Sequence, residues 1–166
     1  MPYFSRKSNR LKGYNYAQNN KYFITVCVKN KRCYFGEVNN KKNLLNDYGR
    51  IVEKQWNWLK EQYSYVNLHG YVVMPNHFHG ILEIKTPKNF NQETDSESLN
   101  KIKSISSLVG AFKTTSSKQL HKLGLNNFQW HRSFYDRIIY NETSYYHISH
   151  YIKKNPSRWK FDSMWI

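Results

Sequence analysis

The run YFITVCV (22–28) is β-branched and aromatic and has the length of a strand; a turn around Lys29–Arg32 leads to a short extended piece near Tyr34–Val38. From about Tyr48 to Tyr63 the residues Ile51, Trp56, Trp58 and Leu59 fall near helical spacing, and Asn46 or Asp47 is placed to cap that helix. VNLHGYVV (66–73) and HFHGILEI (77–84) are again strand-like and flank Met74-Pro75-Asn76. Pro75 has no N–H to give to a ladder, so this pair predicts an antiparallel hairpin. Ile102, Ile105, Leu108, Val109 and Phe112 share one face of a predicted helix over 102–122, and FQWHRSFYDRIIY (128–140) reads as extended. A last helix over about 143–154 is stopped by Pro156.

Strand, helix, two strands, helix, strand, helix predicts an α+β sandwich, an antiparallel sheet with helices packed on one face. TPKNFNQETDSESLNK (86–101) is polar and aperiodic and is expected to be a mobile surface loop. No repeat and no linker interrupts the chain, so residues 1–166 are expected to form a single domain.

Charge narrows the function. Lys and Arg number 26 against 11 Asp and Glu, a formal charge of +15, and the isoelectric point is about 9.8. Residues 1–36 hold eight Lys/Arg and no carboxylate, and residues 101–166 hold eleven against three. A polyanionic partner touching both chain ends is the expectation. Aromatic residues make up 17%, too many for a disordered tail and well suited to stacking on unpaired bases. With a mean hydropathy of −0.83, no apolar run near 18 residues and no signal-peptide core, the chain is expected to stay in the cytoplasm, away from membranes. Cys27 and Cys33 sit in no metal-finger spacing and read as free thiols, Cys27 in the core. P-loop, dinucleotide-binding and nucleophile-elbow motifs are all missing.

Two constellations carry chemistry. His77 and His79 are two apart on a predicted strand, so their side chains share a face about 6.6 Å apart along the chain, and two imidazoles at that spacing can converge on one divalent ion. The competing reading is an ordinary polar pair on a wet sheet face; Glu83, of the same parity, is read as solvated surface. Tyr151 and Asn155 are four apart on the last helix and stack on one side of it, although a tyrosine near Ile148 and Ile152 also suits a packed core face. Together, a metal on a phosphate oxygen and an attacking phenol make a strand-cleavage reaction that conserves phosphodiester energy as a phosphotyrosine. Lys113, Lys118 and Lys122 mark a basic helix face, and Trp130, Phe134 and Tyr135 form either a stacking platform or a core face.

At this point the sequence resembles a family. VVMPNHFHGILEI (72–84) is similar to the His-hydrophobic-His strand of the single-tyrosine HUH transposases, the insertion sequence 200/605-type enzymes and the REP-associated tyrosine transposases. WHRSFYDRIIYNETSYYHISHYIKKNPSRW (130–159) resembles their tyrosine-bearing C-terminal block, and RKSNRLKGYNY, YFITVCVKN and VGAFKTTSSK resemble the REP-associated branch. The resemblance implies a ferredoxin-like domain in which the C-terminal helix carries the nucleophile Tyr151. His77 and His79 would hold Mg²⁺ or Mn²⁺, and Asn155 would complete the metal site. It further implies cleavage of single-stranded DNA beside imperfect hairpins, with the enzyme joined to the 5′-phosphate and a 3′-hydroxyl freed. Arg6, Lys7, Arg10, Lys12, Lys113, Lys118 and Arg132 are the expected DNA contacts. Tyr135, in RSFYDR, competes for the nucleophile's role. A homodimer stays open beside a monomer. So do two other classes: a non-catalytic binder of single-stranded DNA or structured RNA, and a metal-dependent nuclease with no covalent step.

Overall fold

The computed structural model describes residues 10–88 and 101–164. Its elements are β1 (Asn20–Cys27), β2 (Gly36–Asn39), β3 (Lys42–Leu45), α1 (Asp47–Gln62), β4 (Val66–Met74), β5 (His77–Ile84), α2 (Ile105–Lys122), β6 (Tyr135–Ile139) and α3 (Glu142–Lys154). Four strands form one antiparallel sheet in the order β4-β5-β1-β6, the arrangement of a split β-α-β unit, and β2 and β3 pair as a separate hairpin. The α+β expectation holds, with one addition: α1 and α2 cover one face of the sheet, whereas α3 crosses the other.

Parity builds the two faces. On β1, Tyr22, Ile24 and Val26 point to the α1/α2 side, as do Phe78, Leu82 and Ile84 on β5; there they meet Val52, Trp56, Leu108, Val109 and Phe112, all buried. A Cβ on Gly80 would lie 2.8 Å from the Trp56 and Phe78 rings, so glycine is what lets the indole settle on the sheet. On the opposite side, among the described residues, only Ile81, Ile139, Ile148 and Ile152 form a buried apolar cluster under α3. A β-bulge in β4 between Leu68 and Tyr71 shifts its parity near His69.

Each helix starts where a side chain accepts an orphan N–H: Asn46 from Gly49, Ser104 from Ser107, Asn141 from Ser144. The α2 start at Ile105 moves the predicted boundary three residues on, to the residue after this cap. Two expectations change. Residues 128–134 are not a strand beyond one bridge between Val28 and Trp130: Phe128 and Trp130 turn into the core, and the Lys113 ammonium donates to the carbonyls of His131 and Arg132. The β2–β3 hairpin went unpredicted past Val38, because its two-residue turn uses Asn40 and Lys41 at φ 48° and 63°, where Asn-Gly is the usual signal. Residues 89–100 of the expected loop lie outside the described residues. Cys27 is buried and Cys33 exposed, both free. No helix among the described residues is long and apolar enough to cross a membrane.

Candidate active site

The turn before β5 is built so that both histidines are rigid. Pro75 O accepts from the N–H groups of Tyr34 and Phe35, and Val28 N donates to Asn76 O. Asn76 is 1% exposed, and its Nδ2 donates to Lys31 O (3.0 Å) and Met164 O (2.7 Å), which fixes the amide's orientation. Its Oδ1 must then accept from His77 Nδ1 at 2.9 Å. His77 Nε2 is left with a free lone pair that faces Asp162, whose Oδ2 is 3.8 Å away.

His79 sits opposite Thr25 on β1, and Thr25 Oγ1 lies 2.7 Å from its Nδ1. The other ring nitrogen, Nε2, is 3.4 Å from Tyr151 Oη, which α3 brings across the sheet. The Tyr151 ring lies edge-on to both Phe23 and His79. Asn155, one turn on, is 2% exposed and donates through Nδ2 to Asp162 Oδ2 at 3.4 Å. After Pro156 a short 3₁₀ turn (Pro156–Phe161) reverses the chain and delivers Asp162 to this cluster.

Electrostatics follow from burial. Desolvation lowers the pKa of His77, with Asp162 and Asn155 opposing, and it lowers that of His79 well below the usual histidine value, aided by His77. Burial thus favours the neutral form of both rings, the form able to ligate a metal. Burial raises the Tyr151 phenol, Asp162 raises it further and a hydrogen bond to Asn155 lowers it.

One ligand atom each from His77, His79 and Asp162 lies within 4.8 Å of the others. His77 Nε2 and Asn155 Oδ1 are both buried without a hydrogen-bond partner, and leaving such an atom unpaired costs about 1–3 kcal/mol each. A divalent cation among these four residues would satisfy both atoms, so the donor set fits a metal. Two imidazoles with oxygen donors make a mixed nitrogen–oxygen set, unlike the all-oxygen shell usual for Mg²⁺.

The structure thus brings together His77, His79, Tyr151 and Asn155. Asp162 was missed, since a lone carboxylate beyond a helix-breaking proline carries no motif; only its rarity in a basic C-terminal third marked it. Glu83 is not solvated surface: its Oε2 lies 2.9 Å from His69 Nε2, while His69 Nδ1 is 3.0 Å from Tyr145 Oη. The bulge that turns His69 toward α3 has no sequence periodicity to reveal it. Tyr135 is 54% exposed, opposite Thr25 on the same sheet face as His79.

The expected DNA contacts are scattered. Arg10 bonds Asp136 (3.2 Å) and Ser106 and lies over the rings of Tyr16 and Phe134, pinning the chain start to β6 and α2. Lys113 is half-buried against its two carbonyls, and burial lowers its pKa. Lys12, Lys118 and Arg132 are exposed, the last beside the Lys113 clasp; Arg6 and Lys7 lie outside the described residues.

No known family profile matches the chain. An uncharacterized protein of Haemophilus influenzae is 36% identical over 168 residues, covering 97% of this chain and 93% of that one. Among solved structures, a REP-associated tyrosine transposase bound to a REP hairpin superposes with a TM-score of 0.60 at 21% identity, over 93% of this chain and 76% of that one. A candidate transposase from Deinococcus radiodurans superposes with a TM-score of 0.51 at 18% identity, over 88% and 96% of the two chains. The chain therefore belongs to one family with the Haemophilus influenzae protein and has an HUH tyrosine transposase-like fold.

Proposed function

We propose that this protein is a metal-dependent single-stranded DNA transposase or endonuclease, which cleaves and rejoins strands beside hairpins through a covalent 5′-phosphotyrosine on Tyr151. One observation carries the reading: a phenol 40% exposed to solvent, whose oxygen is 3.4 Å from the second imidazole of a buried His-His-Asp cluster. The transposase fold of its structural neighbours and its net positive charge support it.

His77, His79, Asp162 and Asn155 would hold the cation. A bound divalent ion would polarise the scissile phosphate and offset charge developing on its oxygens. The chain's own residues do the rest. His77 Nδ1–H is held by Asn76, and Thr25 fixes the other ring, so both Nε2 atoms stay aimed into the site. Ile148 and Ile152 seat α3 so that Tyr151 Oη is presented at the cluster's edge. The phenolic oxygen bonds to phosphorus, the bond from phosphorus to the 3′-oxygen breaks, the phenolic proton passes to solvent and the 3′-oxygen takes one up. Since burial raises the phenol, attack depends on positive charge beside it to favour the phenolate.

The test is incubation with labelled hairpin DNA carrying single-stranded flanks and Mn²⁺ or Mg²⁺, resolved on a denaturing gel, with the adduct mapped by peptide mass spectrometry. The expected result is a shifted covalent band whose nucleotide is on Tyr151. An adduct on Tyr135 overturns the assignment of the nucleophile. Cleavage with no adduct returns the protein to the water-using nucleases, and binding with neither returns it to the non-catalytic binders.

A further inference from the structure

A second feature adjoins the metal cluster. The β2–β3 turn and the 3₁₀ turn after α3 enclose a cleft of about 410 Å³, walled by Val38, Lys41, Pro156, Trp159, Lys160 and Phe161 among others, with no carboxylate on its described walls. Phe161 is 91% exposed, the most exposed of the large apolar side chains among the described residues. A whole phenyl ring is thus open to solvent on the same walls as Lys41 and Lys160.

The cleft adjoins the candidate active site through Trp159, which lines the cleft and packs near His77. Trp159 is 9% exposed, and its ring centroid lies 5.8 Å from that of His77. Phe161 directly precedes Asp162, whose carboxylate faces His77 Nε2. A ligand seated on Phe161 therefore lies next to whatever reacts at the histidines.

We propose that this cleft binds one unpaired nucleotide flanking the scissile phosphate of a single DNA strand, its base stacked on Phe161 and its backbone phosphate met by Lys41 and Lys160. The proposal deepens the strand-transfer reading and rests on it for the identity of the ligand. Three properties select this occupant. An aromatic face with two cations suits a base and its phosphate. The volume lies at the lower end of small-molecule sites, enough for one nucleotide and too small for a helix. A second copy of a chain carrying +15 would bring more positive charge to a wall that already holds two lysines. A base is free to stack here only where the strand is unpaired, so the cleft selects single-stranded flanks over duplex.

The experiment uses the full chain in EDTA, so that metal contacts do not contribute. A single-stranded oligodeoxynucleotide carrying 5-bromodeoxyuridine in place of thymidine is bound, irradiated, and the crosslinked peptide identified. The crosslink is expected on the peptide holding Trp159 and Phe161. In parallel, Phe161→Ala should weaken single-strand binding about 5- to 150-fold by fluorescence anisotropy, the range of one base stacked on one aromatic ring. Phe161→Trp should restore affinity and Phe161→Leu should not, while affinity for duplex of the same sequence stays unchanged in all three. Crosslinks confined to other peptides, with Phe161→Ala binding single strands like wild type, overturn the subsite and leave the Tyr151 reaction standing. Absence of a Tyr151 adduct when the same strand is incubated with Mn²⁺ or Mg²⁺, with the cleft crosslink retained in EDTA, overturns strand transfer and leaves the subsite standing.

Discussion

The two faces of the central sheet are built to opposite rules. Toward α1 and α2, Tyr22, Ile24 and Val26 of β1 and Phe78, Leu82 and Ile84 of β5 are all buried, and Trp56, Phe78 and Phe112 interlock with ring centroids 4.5–5.4 Å apart. Toward α3, four buried aliphatic residues share the surface with Thr25, His77, His79 and Asn155. Buried polar atoms without partners work against folding, so the first face must supply the stability that the second gives up. Placing the donors on the face that α3 crosses lets the core stay rigid while the site stays reachable.

That division can be broken deliberately. The largest effect is expected from Tyr151→Phe: covalent adduct formation falls below detection, because the proposed reaction takes its attacking oxygen from this phenol. Its unfolding midpoint stays that of wild type, since the ring packing against Phe23 and His79 is kept. A midpoint falling with activity would show instead that the polar face is structural.

Next is Trp56→Ala, which should cost about 3–5 kcal/mol in denaturant unfolding because it empties the centre of the apolar face. A loss under about 1 kcal/mol would mean that this face is not where stability resides.

Metal addition comes third. Mn²⁺ at about 100 times its dissociation constant should stabilise the wild-type chain by about 2.7 kcal/mol, read as a rise in thermal midpoint. Asp162→Asn or His77→Leu should abolish that rise. In chelator, His77→Leu removes a buried nitrogen that has no partner but also strips Asn76 Oδ1 of its donor, so its stability should lie within about 1 kcal/mol of wild type.

Smaller still, Tyr145→Phe removes the phenol from His69 and should cost about 1 kcal/mol. It should slow adduct formation without abolishing it, because this bond helps tie α3 to β4. Smallest of all, Lys12→Gln and Lys118→Gln should each lower the log–log salt slope of single-strand binding by about 0.7 if they meet a phosphate, and leave it unchanged if they do not.

Most of the fold was legible. Period-two runs and helical spacing located β1, α1, β4, β5 and α3, because each buries a face whose repeat is local to the chain. The errors fell where a local signal was absent or overruled. Phe128 and Trp130 look extended but pack inward, held by the Lys113 clasp, and the β2–β3 turn lacks the glycine that usually announces it. The site was legible in the same way. His77 and His79 share a face by parity, and Tyr151 and Asn155 share one by the helical repeat, so each pair follows from a few neighbouring residues.

What the sequence could not decide is which faces meet. The antiparallel crossing of β1 between β5 and β6 sets Thr25 against His79, α3 crossing the open face brings Tyr151 Oη within 3.4 Å of that ring, and the reversal after Pro156 returns Asp162 to His77. Residue types and their spacing alone determined an α+β chain with a strand-borne histidine pair and a helix-borne tyrosine. Tertiary structure alone determined that they form one cluster, completed by Asp162, because contacts between residues 72 and 85 positions apart depend on how helices and sheet pack and not on any local repeat.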